Sequence, residues 1–167
     1  MHDAAMNYVV ETLTALKFQN GGKAVCELGS CDVNGSVRPL FAGVAMYVGV
    51  DRRGGRGVDV VADGADYGEP EAFDLVISTE TLEHAPNAAA VVANAARILK
   101  RGGHFVMTAA GEGRAPHGND GGDVSGEYYA NIHRDDLADW LAASFGEHYA
   151  IVENPNAGDI YARATKR

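Results

Sequence analysis

The chain has 167 residues, enough for one domain, and its hydrophobic fraction of 46% beside 22% charged residues is ordinary for a globular protein. Its formal net charge of −9 argues against a large nucleic-acid-binding surface, because such a surface needs clustered lysine and arginine. The 2 cysteines are too few for a disulfide scaffold or a four-cysteine zinc site. We find no signal peptide and no apolar run of the roughly 18 residues that a membrane helix needs, so we expect a cytoplasmic protein that does not bind membranes.

Predicted strands and helices alternate along the chain. Apolar residues at helical spacing predict an N-terminal covering helix within residues 1–17. The predicted strands cover residues 23–28, 46–50, 58–61, 73–78, 104–109, 148–152 and 159–164, and further helices cover 86–100 and 135–144. Between the first two strands, Pro39 limits residues 35–41 to about one turn of helix.

The connections between these elements predict the fold class. A short turn at residues 155–158 joins the last two strands, and a turn of this length joins only antiparallel neighbours. Strands that alternate with helices instead pair in parallel. We therefore predict an α/β fold with a doubly wound, mostly parallel, seven-stranded sheet and a C-terminal antiparallel hairpin.

The first two predicted strands each end in residues suited to a nucleotide. The first strand reaches Glu27 and is followed by Gly29 in a tight turn, and the second strand is followed by Asp51. Open α/β sheets bind ligands at the carboxyl ends of their strands. A carboxylate about 20 residues beyond a glycine turn is well placed to accept hydrogen bonds from ribose hydroxyls. This pair of features predicts a site for an adenosyl group.

Further motifs extend this pattern across residues 24–108. The turn at 27–31, Asp51, and the segments 62–64, 73–84 and 99–107 resemble, in order and spacing, the class I S-adenosylmethionine-dependent methyltransferases, and in particular their small type 11 branch. The resemblance implies a Rossmann-like fold, S-adenosyl-L-methionine as cofactor and methyltransferase activity. This sequence departs from the family pattern at Cys31, which stands where the family has its second turn glycine.

The resemblance also implies which residues hold the cofactor. Glu27 would face the methionine ammonium group, Asp51 the ribose and Asp63 the adenine amino group, while amides of the glycine turn would meet the methionine carboxylate. The predicted cofactor-binding residues are Glu27, Gly29, Ser30, Cys31, Asp51, Arg52, Asp63, Gly64, Thr79 and Glu80.

Two residues that follow the fourth predicted strand are candidates for catalysis. The ordinary pKa of a histidine suits His84 to deprotonate a hydroxyl or amine acceptor at neutral pH, and Glu83 precedes it. In the resembling family this stretch also serves as a structural brace beside the active site. Neither His84 nor His104 lies at metal-ligand spacing from a partner, so the sequence predicts no metal site.

A long glycine-rich segment, residues 110–131, follows the fifth predicted strand. A loop of this length without regular structure is usually functional or disordered, and it emerges over the same edge of the sheet as the cofactor site. We predict that it is an acceptor loop or lid, although its tyrosines would also serve to anchor it in the core. The predicted substrate-binding residues are Arg114, His117, Tyr128, Tyr129 and His133.

The sequence therefore predicts an enzyme, an S-adenosylmethionine-dependent methyltransferase in a single domain over residues 1–167, whose partner is a small-molecule, sugar or amine acceptor. One alternative is a non-catalytic module of the same fold that binds an adenosyl ligand, motivated by Cys31 and the short first crossover. A nicotinamide-dependent oxidoreductase is a weaker alternative. The chain has no full Gly-x-Gly-x-x-Gly motif and no Tyr-x-x-x-Lys pair, and both absences argue against it. Nucleic acid is not expected as a partner, and the sequence indicates no oligomeric state.

Overall fold

The computed structural model describes residues 2–167. The helices are α1 (Asp3–Ala15), α2 (Ala88–Ile98) and α3 (Arg134–Phe145). The strands are β1 (Ala24–Leu28), β2 (Met46–Asp51), β3 (Val60–Val61), β4 (Phe73–Thr79), β5 (Leu99–Ala110), β6 (Tyr149–Asn154) and β7 (Asp159–Thr165). No helix within residues 2–167 is long and apolar enough to cross a membrane.

The seven strands form one sheet in the order β3-β2-β1-β4-β5-β7-β6. Strands β1 to β5 pair in parallel. Strand β7 lies between β5 and β6 and runs antiparallel to both, because a short turn joins it to β6. The predicted α/β fold, with a mostly parallel sheet and a C-terminal antiparallel hairpin, is confirmed.

Apolar layers cover both faces of the sheet. Side chains alternate between the two faces of a strand, and on one face Cys26 and Phe105 pack beneath α2 and α3. On the other face Val25 and Val106 pack beneath α1 and the connection between β1 and β2. Because β1 is covered on both faces, all of its residues are buried.

The connection between β1 and β2 contains only a 3₁₀ turn, Arg38–Phe41. Pro39 occupies the first turn of this segment, and the single turn of helix that was predicted here is confirmed. Phe41 is buried and packs with Val25 of β1. The short crossover therefore contributes to the apolar layer that α1 completes.

Several boundaries differ from those predicted, most of all at the junction of α2 with β5 and in the third strand. The helix predicted over residues 86–100 ends at Ile98, because Leu99 already pairs with Phe73 of β4. The register then shifts before His104 pairs with Leu75. The third strand is also shorter than predicted, with only Val60–Val61 paired to β2. Pairing with a neighbouring strand thus overrides local periodicity at the end of α2.

The amino edge of the sheet carries a fully partnered carboxylate. Asp74 accepts hydrogen bonds from Lys100 Nζ at 2.8 Å, Lys23 Nζ at 3.1 Å and the amide of Ala24 at 3.0 Å. Burial acts to raise the pKa of Asp74, but these hydrogen bonds outweigh it and lower the pKa to about 2. Asp74 therefore joins β1, β4 and the start of β5 as a charged group.

Candidate functional site

A cavity of about 680 Å³ lies at the carboxyl edge of the central strands. Its walls are the ends of β1, β2 and β4, the segment after β3, and part of the loop 111–131. This volume falls within the range of sites for small molecules and cofactors. The structure brings every predicted cofactor-binding residue to this cavity: Glu27, Gly29, Ser30, Cys31, Asp51, Arg52, Asp63, Gly64, Thr79 and Glu80.

Backbone hydrogen bonds hold the turn that follows β1. The amides of Gly29 and Ser30 both donate to the carbonyl of Val50, at 2.8 and 3.0 Å. The amide of Cys31 donates to Asp51 Oδ2 at 3.1 Å. These amides therefore already have partners within the protein, which differs from the expectation that they meet a ligand carboxylate.

Glycine is required at position 29 by the close approach of Thr81 as well as by the backbone angle φ. Its φ is +86°, a conformation that side chains disfavour, and a Cβ at this position would lie 2.0 Å from Thr81 Oγ1. The Thr81 hydroxyl is itself fixed, because it donates to the carbonyl of Thr79 at 2.9 Å. Only glycine fits between β1 and the segment that leaves β4.

Asp51 keeps acceptor capacity that faces the cavity. Its Oδ2 accepts the Cys31 amide, and its Oδ1 accepts the amide of Arg53 at 2.9 Å. Each carboxylate oxygen has about two acceptor positions. One position on each oxygen is therefore available to a pair of neighbouring hydroxyls.

Asp63, in the segment after β3, also lines the cavity and is held in a similar way. Its Oδ1 accepts the amide of Ala65 at 2.9 Å, and Asn87 Nδ2 lies 3.3 Å from both carboxylate oxygens. Arg52 Nε is 3.9 Å from Asp63 Oδ2, and the Arg52 side chain is mostly exposed. Asp63 therefore retains acceptor capacity within a fixed orientation.

Glu27 is a nearly buried carboxyl group in the wall of the cavity, only 2% exposed. Burial raises the pKa of Glu27 to about 7, against the opposing effect of a hydrogen bond from Tyr47. The Tyr47 hydroxyl donates to Glu27 Oε2 at 2.5 Å. A cation that binds nearby would favour the charged form of Glu27 and would lower this pKa.

Glu80 follows β4 with a φ of +51°, a conformation that is uncommon for a residue with a side chain. Its carboxylate accepts a hydrogen bond from Thr108 Oγ1 at 3.0 Å. His2 Nε2 and an Arg114 nitrogen lie 3.4 and 3.7 Å from its other oxygen. Backbone strain of this kind concentrates at functional sites and persists because the surroundings enforce it.

Glu83 is fully buried and braces the loop that follows β5. Its Oε1 accepts the amide of Ala110 at 3.1 Å, and its backbone carbonyl accepts the amide of Ala130 at 2.9 Å. Its other oxygen, Oε2, is buried without a partner. Burial, with a smaller effect from the charge of Glu80, raises the pKa of Glu83 to about 8.

His84, next to Glu83 in the chain, packs among aromatic rings. Its ring centroid is 5.2 Å from that of His117 and 5.5 Å from that of Tyr129. Burial and then His117 lower the pKa of His84, so its imidazole is neutral at pH 7. The Nδ1 atom of His84 is buried without a hydrogen-bond partner.

The predicted substrate-binding residues separate into two groups. Arg114 and His117 line the cavity, and Tyr129 packs against His117 with ring centroids 4.9 Å apart. Tyr128 is 48% exposed and lies outside the cavity lining, as does His133, which is paired with Glu112 on the surface. The structure therefore brings three of these side chains near the cavity and directs two away from it.

Several lining residues are not among the predicted site residues, and three of them have polar side chains that hold the site together. His2 reaches the cavity and lies 3.2 Å from Asp159 Oδ2. Thr81 packs on Gly29, and Asn87 holds Asp63. An asparagine directly before a helix is a signal that could have marked Asn87, although it was open to interpretation as a helix cap. No local pattern marks His2 or Thr81.

Comparisons with known proteins agree with this fold. The family model described as a methyltransferase domain, of type 11, matches residues 29–107. A curated relative, the ubiquinone biosynthesis O-methyltransferase of Ralstonia nicotianae (strain ATCC BAA-1114 / GMI1000), is 29% identical over 105 residues. The match covers 63% of this chain and 34% of that protein. The chain thus aligns with about a third of the length of the curated relative.

Solved structures share the whole fold. The 1,6-didemethyltoxoflavin-N1-methyltransferase of Burkholderia thailandensis has a TM-score of 0.67 at 18% identity, covering 98% of this chain and 78% of that one. The YcgJ protein of Bacillus subtilis has a TM-score of 0.72 at 12% identity, covering 99% of both chains. The magnesium protoporphyrin IX methyltransferase of Synechocystis PCC 6803 has a TM-score of 0.67 at 18% identity, covering 98% of this chain and 79% of that one. The chain thus has the fold of these structures, and it matches the type 11 methyltransferase domain from the glycine turn into β5.

Proposed function

We propose that the chain binds S-adenosyl-L-methionine in this cavity and transfers its methyl group to a small-molecule, sugar or amine acceptor. The observation that carries the proposal is the convergence of Glu27, Asp51 and Asp63 on one cavity at the carboxyl edge of the sheet. The curated relative is named as an O-methyltransferase. The Burkholderia and Synechocystis structures are described with S-adenosylhomocysteine and S-adenosylmethionine bound, respectively.

The residues present fit this cofactor. Asp51 has an acceptor position on each oxygen for the two ribose hydroxyls, and Asp63 has acceptor capacity for the adenine amino group. Glu27 complements the ammonium group. Ser30 lines the same wall. The chain's own carboxylates thus match the donors that an adenosyl amino acid presents.

S-adenosylmethionine supplies a methyl group that its sulfonium centre has already activated. The protein's residues therefore mainly bind, orient and exclude water. Glu27 would hold the ammonium group of this cofactor, and it would release its proton there, since the added positive charge favours the carboxylate. His84 is neutral at pH 7, and its unpartnered Nδ1 would accept the proton that the acceptor loses, while Glu83 holds the segment that carries it.

We assign residues 110–131 to acceptor binding within the same domain. The loop is tied down at both ends, because the amide of Gly111 donates to the carbonyl of Gly158 at 2.9 Å and the amide of Ala130 donates to Glu83. Arg114 is fixed by an ion pair with Asp159. Arg114 and His117 therefore reach the cavity from a loop whose ends do not need to move.

The first test is calorimetric titration with S-adenosylmethionine and S-adenosylhomocysteine, with NADH as the control ligand. We expect both adenosyl ligands to bind with micromolar affinity and NADH not to bind. Transfer of a labelled methyl group is then measured against a panel of hydroxyl and amine acceptors. Binding without transfer would favour the non-catalytic module, and NADH binding alone would favour the oxidoreductase.

A further inference from the structure

We propose that Glu83, His84 and His117 bind one divalent transition-metal ion. Each of the three residues offers one ligand atom, and these atoms all lie within 4.8 Å of one another. The two histidines line the cavity, so an ion held between them would keep open coordination positions that face it. The group joins the segment after β4 to the loop 111–131, which no local sequence spacing reveals.

The first support is that two of the three residues each have a buried polar atom without any partner. Glu83 Oε2 and His84 Nδ1 make no hydrogen bond, and the Glu83 side chain is completely buried. A buried polar atom without a partner costs about 1–3 kcal/mol, and more if it is charged. A cation between these atoms would satisfy both of them.

The second support is that other atoms of the same side chains are already held. His117 Nδ1 lies 3.1 Å from the carbonyl of Ala115, which leaves Nε2 as the free nitrogen. Glu83 Oε1 accepts the amide of Ala110, which leaves Oε2 directed elsewhere. Metal-binding histidines and carboxylates are commonly oriented by such outer hydrogen bonds, which fix the ring and its tautomer.

The donor set indicates the class of ion. Two imidazoles and one carboxylate suit Zn²⁺, Fe²⁺ and similar first-row ions, whereas Mg²⁺ and Ca²⁺ prefer oxygen ligands. Bonds of about 2.0–2.2 Å hold ligand atoms no more than about 4 Å apart. The group must therefore contract by up to about 1 Å, and His117 can supply this movement because it lies on a loop.

A second histidine and carboxylate group lacks these features. His2, Glu80 and Asp159 also lie close enough to share an ion. In that group, however, Arg114 pairs with Asp159 and lies 3.7 Å from Glu80. The guanidinium already compensates the carboxylates, so no cation is required there.

If the proposed function holds, the ion would also change how the acceptor is activated. It would occupy the Nδ1 lone pair of His84 that otherwise accepts a proton. A hydroxyl acceptor that coordinates a metal ion has a lowered pKa and loses its proton more readily. Coordination at the open positions would then orient the acceptor oxygen beside the cofactor.

The test uses Co²⁺ as the probe, because its visible absorption reports direct coordination. The full chain is titrated with Co²⁺ and with Mg²⁺, by absorption and by calorimetry, as wild type, His117→Ala, Glu83→Gln and the control His148→Ala. His148 is an exposed histidine outside the cavity. We expect one Co²⁺ per chain, little affinity for Mg²⁺, binding weakened at least about 10-fold in both ligand variants, and no change in His148→Ala.

Absence of Co²⁺ binding, or binding that survives both ligand variants unchanged, would overturn the proposal. His117 is a partly buried side chain of the loop 111–131, and circular dichroism verifies that His117→Ala and Glu83→Gln are both folded. S-adenosylhomocysteine is titrated into the same samples. Its binding without Co²⁺ binding would refute only the metal site, whereas Co²⁺ binding without it would refute only the proposed function.

Discussion

The amino and carboxyl edges of the sheet treat charge in opposite ways. At the amino edge, Asp74 has two lysines and a backbone amide as partners, and its pKa is lowered to about 2. At the carboxyl edge, burial raises the pKa of Glu27 to about 7 and that of Glu83 to about 8. The amino edge stabilises the charged form of Asp74. The carboxyl edge leaves the charged forms of Glu27 and Glu83 without enough partners.

Unpartnered polar atoms follow the same division. Within residues 2–167, the buried side-chain atoms without a hydrogen bond belong to Ser30, Ser78, Glu83, His84, Asn87, Tyr129 and Asn131. All of these residues lie toward the carboxyl ends of the strands or in the loop after β5. Functional sites commonly sacrifice stability to keep such groups available. Removing a charge should therefore have opposite consequences at the two edges.

The largest expected effect is that of Gly29→Ala, which tests the close packing at the carboxyl edge. The added Cβ must displace Thr81 and adopt a positive φ, so we expect a loss of about 3–5 kcal/mol in the free energy of unfolding. Gly43→Ala is the matched control, since Gly43 has a φ of +87° but nothing within 4 Å. Urea unfolding of both variants measures the difference, and equal losses would contradict the contact with Thr81.

The next effect concerns Glu27→Gln and its dependence on pH. The folded protein keeps the Glu27 proton up to about pH 7, whereas the unfolded chain releases it near the ordinary value of 4.5. The wild type should therefore lose about 3 kcal/mol of stability between pH 4.5 and 7, and no more above that. Glutamine has no proton to lose, so the variant should lack this slope and be more stable than the wild type at pH 8.

Urea unfolding at pH 5 and pH 8 measures the slope attributed to Glu27. Glu147→Gln, at an exposed glutamate, is the control and should follow the wild type. The Glu27→Gln variant should also bind S-adenosylmethionine more weakly, since it cannot provide a carboxylate for the ammonium group. A variant that is less stable than the wild type at pH 8 would remove the contrast between the two edges.

Asp74→Asn should show the opposite behaviour. The folded pKa lies below the ordinary value of 3.8, so the contribution of Asp74 is present above pH 3.8 and is lost as the pH falls through about 2. Losing this charge should cost about 2 kcal/mol at pH 7. Affinity for S-adenosylhomocysteine should not change, because Asp74 lies outside the cavity. If Asp74→Asn bound S-adenosylhomocysteine more weakly without a loss of stability, Asp74 at the amino edge would influence the site at the carboxyl edge.

The smallest effect is that of Asp51→Ala, which should act on binding. Removing the carboxylate leaves the ribose hydroxyls without their acceptor, so we expect S-adenosylhomocysteine to bind about 1–2 kcal/mol more weakly in calorimetry. Asp66→Ala, at an exposed aspartate outside the cavity lining, is the control. Equal affinity in both variants would remove Asp51 from the proposed ribose site.

The fold and the residues that line the cavity could be predicted from the sequence, because both depend on where the strands end along the chain. Residues that follow parallel strands meet at one edge, so Glu27, Asp51 and Thr79 converge whatever the details of the loops. The partners of the turn amides could not be predicted. They depend on the register that places Leu28 beside Val50, and no local pattern encodes that register.

The path of the long loop was also beyond prediction. Tyr128 and Tyr129 are adjacent and have the same chemistry, yet only Tyr129 packs against the two histidines. The choice depends on how the amide of Ala130 is held by Glu83. The approach of His117 to His84 follows from the same tertiary contacts, which is why spacing along the chain indicated no metal site.

The position of α1 has a consequence for the order of assembly during synthesis. This helix is made before the strands of the sheet, yet it packs on β5 and β7, and Tyr8 stacks on Tyr161 with ring centroids 4.6 Å apart. The apolar side that carries Val9 has no complete surface to cover until β7 has left the ribosome. Helix α1 therefore docks after the sheet that follows it in the sequence, and during translation it is an amphipathic segment available to chaperones.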